Sequence, residues 1–549
     1  MRRRVFLSGT ILTGIGLPVL TGCKIPGWSK NKGGPTSSSG SLASTGGKAK
    51  AGSTDWQELD AHVMGHKVAV RVSPVIRKDE ATSIMALELT RAKDDASIDD
   101  IDANSYSDNS NKLNISNYLG VPSIFRPGTG ASGAKLLDLN SGRVWSAING
   151  SGVFLDLTPG EKITSYLSFG KVDADTVTVL VPMAGFTTVS VLEADAAKKA
   201  DVNLTTAQTA IDQSTHAAAE LADPVAIERY TRALDDSTST HAGGKDITVT
   251  LASDVTFASD SAELASGAEA QLQTVASQLK QHPDGGTLTI VGHTDDVQDD
   301  AYNQTLSEKR ANAVKTRLEQ LTKLDKWQTT VSGKGESEPR INDTTDEARA
   351  VNRRVEITLT PTGGTTPKNT TPAPSSGGGK LPDPKGPVAK GSDGVTVKND
   401  SGDDHVTITI DHVTRQGGYL LGQLHTTISA KKNSAPNLHL WFKDKEIIFI
   451  TNSRGEDGSD EATIYAADGL TLLAGGERIY PADYRDADFK THVPLTELQL
   501  TPFIKAGTTT ICVIWPDPGG DTITLDHLPA AHLGSSFAYR LTDIPIKNG

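Results

Sequence analysis

Two stretches of this 549-residue chain are too poor in apolar side chains to bury a core, and they set where folded structure can begin and end. The first, residues 23–54, contains "GGPTSSSGSLASTGGKAKAGST"; the second, residues 362–394, contains "TTPKNTTPAPSSGGGK". Glycine and serine make the first a flexible tether with a reach of about 30 Å, and proline stiffens the second. Three blocks remain, at 55–194, 245–361 and 395–549, with an Ala-rich connector over 195–244 that is expected to be loosely helical. A chain of this length divides its apolar residues among several cores.

The formal net charge is −13, and no basic run occurs after the first four residues. Phosphate backbones require the opposite field, which excludes a nucleic-acid partner. Only Cys23 and Cys512 are present, so there is neither a disulfide framework nor a thiolate metal site. Residues 1–22, "MRRRVFLSGTILTGIGLPVLTG", pair an arginine-rich start with an apolar stretch shorter than the ~20 residues of a membrane span. With Leu20-Thr21-Gly22-Cys23 this segment resembles a bacterial lipoprotein signal peptide ending in a lipobox. The resemblance implies cleavage before Cys23 and acylation of its thiol. Arg3-Arg4-Val5-Phe6-Leu7 is also similar to a twin-arginine export motif, with Ser8 where lysine is usual. Two or more acyl chains anchor a protein stably. Everything after Cys23 is therefore expected in the cell envelope, on the extracytoplasmic face of the cytoplasmic membrane or on an outer membrane facing the periplasm.

Blocks 55–194 and 395–549 alternate apolar and polar residues between Gly, Asp and Pro turns, the pattern of β-sandwich modules. "TVTVLVPMAGFTTVSV" from Thr176 aligns without a gap to "TICVIWPDPGGDTITL" from Thr510, and Gly142-Arg143-Val144-Trp145 echoes Glu477-Arg478-Ile479-Tyr480. The fold class read from these patterns is multidomain: a central α+β domain flanked by two all-β modules of an immunoglobulin-like kind.

The central block changes period repeatedly. Ile247, Val249 and Leu251 mark a strand, Ala268, Leu272, Val275 and Leu279 a helix, and Leu288 and Ile290 a second strand. From Asn303 a helix follows, and then strands at Trp327, Thr329 and Val331 and at Val355, Ile357 and Leu359, with a short helix near Glu347 between them. The order is β-α-β-α-β-(α)-β. On the long helix, Leu306, Arg310, Val314 and Leu318 share one face, so a cation lies in an apolar row and needs a partner.

Several ordered motifs in this block carry a second resemblance. Gly292-His293-Thr294-Asp295, Asn303, Leu306-Ser307, Arg310-Ala311, Gly333-Lys334-Gly335-Glu336 and Asn352-Arg353-Arg354-Val355 resemble the peptidoglycan-binding domain of the OmpA C-terminal family, of the peptidoglycan-associated lipoprotein type. In that family an aspartate and an arginine clamp the diaminopimelate of the peptidoglycan stem peptide, and the matching positions here are Asp295 and Arg310. A fixed anion beside a fixed cation suits an amino acid that presents an ammonium and a carboxylate on one carbon, and the guanidinium fork holds carboxylate bidentately. The resemblance implies Thr294, Asn303 and the backbone amides of 295–297 as supports, with Arg354 positioning the site. Asp296, Asp299 and Asp300 make this loop more acidic than a carboxylate receptor needs.

Other signals are weaker. Gly128–Gly133 matches a dinucleotide fingerprint but leads into strand and turn, not the required helix. The loop from Asp100 lacks the turn glycine and final glutamate of a calcium loop. Histidines are scattered without HExxH or paired spacing, no GxSxG elbow occurs, and Cys512 sits in an apolar strand as a core thiol. No cofactor, metal site or catalytic constellation emerges. The expected protein is a lipid-anchored, non-enzymatic tether between membrane and peptidoglycan whose β modules offer a surface to an unidentified envelope protein. The alternative is a wall-remodelling enzyme with catalysis in a β module.

Overall fold

In the N-terminal block the alternation becomes strands β1 (Gln57–Val63), β2 (His66–Val72), β3 (Val75–Arg77), β4 (Ser83–Arg91), β5 (Lys135–Asp138), β6 (Arg143–Ser146), β7 (Lys162–Phe169), β8 (Thr176–Val181) and β9 (Gly185–Glu193). The computed structural model describes residues 50–98, 111–121, 130–147, 154–212, 223–258, 260–364, 381–399, 404–430, 438–444, 453–454, 456, 463, 465–485, 491–500, 506–528 and 536–549. Cys23, the signal-peptide segment, most of both linkers' glycine-rich sequence, the loop from Asp100 and the start of the Gly128 loop lie outside these residues. The sheet order is β1-β2-β4-β3-β9-β8-β5-β6, with β7 on β4, and every pair is antiparallel except β3 with β9.

Among its described residues the connector expected to be loosely helical contains helix α1 (Leu204–Asp212) and then strands β10 (Val225–Ala226), β11 (Arg229–Ala233) and β12 (Thr238–Gly243). The helical expectation fails there because β10, β11 and β12 take their conformation from sheet partners and not from their own apolar period.

The central block gives β13 (Asp246–Ala252), α2 (Ala268–Gln281), β14 (Gly286–Gly292), α3 (Asp300–Leu321), β15 (Trp327–Gly333), α4 (Asp346–Asn352) and β16 (Arg354–Pro361). Its strands lie in the order β15-β14-β16-β13; β14 and β15 are parallel, and the other pairs antiparallel. Ile247, Val249, Leu251, Leu288, Ile290, Val355, Ile357 and Leu359 meet Leu272, Val275, Leu279, Val314 and Leu318 in one core, so α2 and α3 cover the same face. Among the described residues no helix is long and apolar enough to cross a membrane.

The C-terminal block contains β17 (Val395–Lys398), β18 (His405–Thr409), β19 (Val413–Gln416), β20 (Tyr419–Ser429), β21 (Thr471–Ala474), β22 (Glu477–Ile479), β23 (Ala506–Pro516), β24 (Thr522–His527) and β25 (Tyr539–Asn548). Its order is β17-β18-β20-β19-β25-β24-β21-β22, with β23 on β20 and β19 parallel to β25. Strand for strand this repeats the N-terminal topology. The echo of Arg143–Trp145 in Arg478–Tyr480 falls on equivalent hairpins, β5-β6 and β21-β22. The longer alignment is one strand out of phase, because it lays β8 on β23 while topology equates β8 with β24. Two apolar runs of similar composition matched better than the true equivalents.

That composition has its own cause. In β23, Ile511, Val513 and Trp515 face the shared β-module core while Cys512 and Ile514 join a second cluster with Leu137, Leu180 and Phe186 of the N-terminal module. In β8, Val179 faces the first cluster and Leu180 the second. Strands buried on both faces lose the apolar/polar alternation. Cys512 is a buried free thiol, as expected of a core cysteine. Leu180→Ala is expected to cost about 2–4 kcal/mol in denaturant unfolding, like a core deletion; a loss near zero would mean that the β8 outer face is not held against the C-terminal module.

Candidate functional site

Strand β14 ends at Gly292, where an added Cβ would lie 2.2 Å from the Ser307 carbonyl oxygen of α3; at Gly333, the end of β15, it would lie 2.5 Å from the Glu308 nitrogen. Both glycines of the motifs therefore let strand ends press against the helix backbone. This close approach brings the loop after β14 beside the polar half of α3. The buried stripe of α3 is Asn303, Ser307, Arg310, Ala311, Val314 and Leu318, with Leu306 only half-buried. Its first half faces the loop and its second half faces the core.

Asn303 ties this region together. Its Nδ2 donates to the Asp295 carbonyl at 3.1 Å, the Gln298 carbonyl at 3.0 Å and Glu336 Oε2 at 2.6 Å. The Thr294 N–H donates to the Gly335 carbonyl at 2.9 Å. Among the described residues Thr294 Oγ1 is buried with no hydrogen-bond partner, and so are both ring nitrogens of His293, whose Nε2 lies 4.0 Å from Glu356 Oε2. The acidic excess of the loop has local work: Arg349 holds Asp296 at 2.7 Å, and Asp299 caps α3 by accepting the Tyr302 N–H at 2.9 Å. Asp300 follows in the first turn, where the helix dipole favours an anion.

Asp295 and Arg310 come to the same end of the sheet but do not pair. Asp295 Oδ2 accepts from Arg353 Nη1 at 2.7 Å, and Arg353 clasps Asp254 through Nε at 2.7 Å and Nη2 at 2.6 Å. Those bonds, to Asp254 first, raise the Arg353 pKa. Arg310 is 5% exposed and its guanidinium lies 5.1 Å from the Phe257 ring centroid. Its Nε donates to the Ser261 carbonyl at 2.9 Å. Its two η nitrogens have no hydrogen-bond acceptor among the described residues, and no carboxylate there comes within 4.0 Å. Burial pulls the Arg310 pKa down, while Asp254 and Asp260 push it back up. The site thus presents an oriented carboxylate beside a desolvated cation with open donors, an arrangement suited to a zwitterion.

Arg354 faces elsewhere. Its Nε bonds Glu356 Oε1 at 2.7 Å, and its η nitrogens reach the carbonyls of Asn352 at 3.2 Å and Glu338 at 3.3 Å. The arginine at Asp295 is its neighbour Arg353. Sequence reasoning missed Arg353 and Asp254, although Asp254 follows β13, whose Ala252 lies opposite Arg354 of β16. Knowing that strand pairing would have singled them out.

Residues 256–353 form an OmpA-family domain. Over 103 residues the chain is 43% identical to outer membrane porin F of Pseudomonas aeruginosa, a match that takes in 19% of this chain and 29% of the porin. Over 119 residues it is 35% identical to the probable lipoprotein YiaD of Escherichia coli, covering 22% of this chain and 53% of that protein. The chain thus spans from under a third to about half of the length of these relatives. Among solved structures, the peptidoglycan-associated lipoprotein from Burkholderia pseudomallei is 33% identical, with 19% of this chain and 86% of that one covered and a TM-score of 0.17.

Burial, then the nearby Arg354, lowers the His293 pKa from 6.5 to about 4. Between those values the unfolded chain binds more protons than the folded one, so stability falls as the pH drops through that window, by about 1.4 kcal/mol per pH unit for a single group. Denaturant midpoints at pH 7 and pH 5 are expected to differ less in His293→Leu than in the parent; equal differences would show that His293 takes up its proton without cost to the fold.

Proposed function

We propose that this OmpA-family domain grips peptidoglycan non-covalently through the diaminopimelate of the stem peptide, Asp295 taking the ligand's ammonium and Arg310 its carboxylate. Arg310 carries the reading. A guanidinium this deeply buried, with only its Nε bonded among the described residues, is retained at a cost to stability that an anionic ligand would offset. Arg353, fixed between Asp254 and Asp295, orients the carboxylate that faces the ammonium. Val297 and Tyr302, 60% and 40% exposed, flank the loop and suit the ligand's methylene chain. Thr294 and Asn303 shape the loop from below, and Arg354 braces the strand behind it.

In this reading the chain is a lipid-anchored envelope protein acylated at Cys23, tying membrane to wall. A probable lipoprotein among the relatives of the domain supports the anchor. Membrane and wall contacts made together strengthen each other through effective concentration, so neither needs high affinity. The flanking modules are read as immunoglobulin-like sandwiches, a reading supported by the parallel pairing of an early strand with the last one in each. They space the site from the membrane and offer surface to another envelope protein.

Co-sedimentation with insoluble, diaminopimelate-containing peptidoglycan tests the site, using the chain from residue 50 onward. The parent is expected to sediment, and Asp295→Ala and Arg310→Ala, folded by circular dichroism, to bind at least ~10-fold more weakly. Arg310→Lys, which keeps charge but loses the fork, is expected to fall between them. Equal sedimentation of all four would make the pair structural. Expressed in cells, Cys23→Ser is expected to move the protein from the membrane fraction to the soluble one; retention in the membrane would remove the acyl anchor from the proposal.

A further inference from the structure

Glu228, His241 and His492 come from three separate parts of the chain and meet where the central sheet joins the C-terminal module. Glu228 precedes β11 and is pinned by backbone exchange with Asp483: its N–H donates to the Asp483 carbonyl at 2.7 Å, and the Asp483 N–H donates back at 3.2 Å. His241 stands on β12. Both imidazole Nε2 atoms converge on one oxygen, Glu228 Oε2, His492 at 2.8 Å and His241 in closer contact. The three donor atoms all lie within 4.8 Å of one another. Zinc bonds of ~2.0–2.2 Å in tetrahedral geometry set ligand atoms roughly 3.3 Å apart, within that spread.

Two further observations point to a cation. Glu456 accepts from His492 twice, from Nδ1 at 2.7 Å and from the backbone N–H at 2.9 Å. A carboxylate on Nδ1 holds the ring with Nε2 facing Glu228, the outer support that metal-ligating histidines use, and a metal there would replace the proton that Nε2 otherwise shares with Glu228 Oε2. The second observation is charge. Arg454 bonds Asp483 Oδ2 through Nε at 2.7 Å and reaches Glu228 Oε2 through Nη2 at 3.3 Å. Glu228, Glu456 and Asp483 crowd three carboxyl groups together with side chains only 15%, 27% and 7% exposed, and positive charge there, from a metal ion or from protonated imidazoles, offsets their burial.

We propose that Glu228, His241 and His492 bind one divalent transition-metal ion of the zinc class, clamping the strands that lead into the central domain to the C-terminal module. Two imidazoles and a carboxylate suit a borderline ion better than calcium or magnesium, which take oxygen ligands. His241, 32% exposed, leaves an open side for entry and for a water as fourth ligand. The competing state is a pair of imidazolium–carboxylate bridges that needs no metal.

Titration of the whole, chelator-treated chain with Co2+ and Zn2+ separates the two. A single equivalent of Co2+ is expected to bind with the visible absorption of a tetrahedral nitrogen–oxygen site, and Zn2+ to raise the thermal transition by several degrees. His241→Gln, with parental circular dichroism, is expected to lose both effects. Glu456→Gln, which removes only the outer support, is expected to weaken Co2+ binding about 10–100-fold. Absence of the cobalt signal, or metal binding that survives both His241→Gln and His492→Gln, would overturn the proposal and leave the imidazolium bridges.

Discussion

Thr231, Arg232 and Ala233 of β11 pair with Ile479, Arg478 and Glu477 of β22, and this short antiparallel ladder carries the sheet from the central domain into the C-terminal module. Without it the long linker would set the distance between the central domain and that module by chain statistics alone. The ladder lies over an ion-pair network: Arg478 donates to Asp526 Oδ2 at 2.9 Å, and Arg540 to Asp526 Oδ1 at 2.7 Å. Arg232 lies over the paired rings of Tyr230 and Tyr480, 5.9 Å and 5.7 Å from their centroids. Removing one member of such a buried set leaves an uncompensated charge. The joint therefore resists shear between the domains through electrostatics as well as backbone bonding.

The candidate site lies at the strand ends of the central sheet, and the joint lies farther along the same sheet path, beyond β12. Asp295 follows β14 and Arg310 on α3 reaches Phe257 and Ser261 beyond β13, whereas β11 and β12 continue the sheet past β13 to the joint.

The central domain was legible because α2 and α3 cover one face of its sheet, which keeps the period-two signal clean in Ile247, Val249, Leu251, Val355, Ile357 and Leu359. Arg310 was legible as an arginine in an apolar row. The Asp254–Arg353 clasp was not, since only the pairing of β13 with β16 makes neighbours of residues a hundred positions apart. In the sequence, Arg353 and Arg354 are adjacent and alike; strand geometry sends one to Asp295 and the other to Glu356. β11 and β12 were missed for a different reason. "RYTRA" and "TSTHAG" carry little apolar pattern and become strands through their neighbours' unpaired backbone groups.

β10 and β11 are separated by two residues, yet β10 completes the edge of the N-terminal sheet at β6 and β11 that of the C-terminal sheet at β22. One stretch of chain thus closes two open edges. A fragment cut at the compositional boundary near residue 245 would leave β13 and β22 with bare rows of amide and carbonyl groups, a template for pairing with other chains. The unit that keeps the β11–β22 and β12–β13 pairings intact is larger than the domain the sequence outlines.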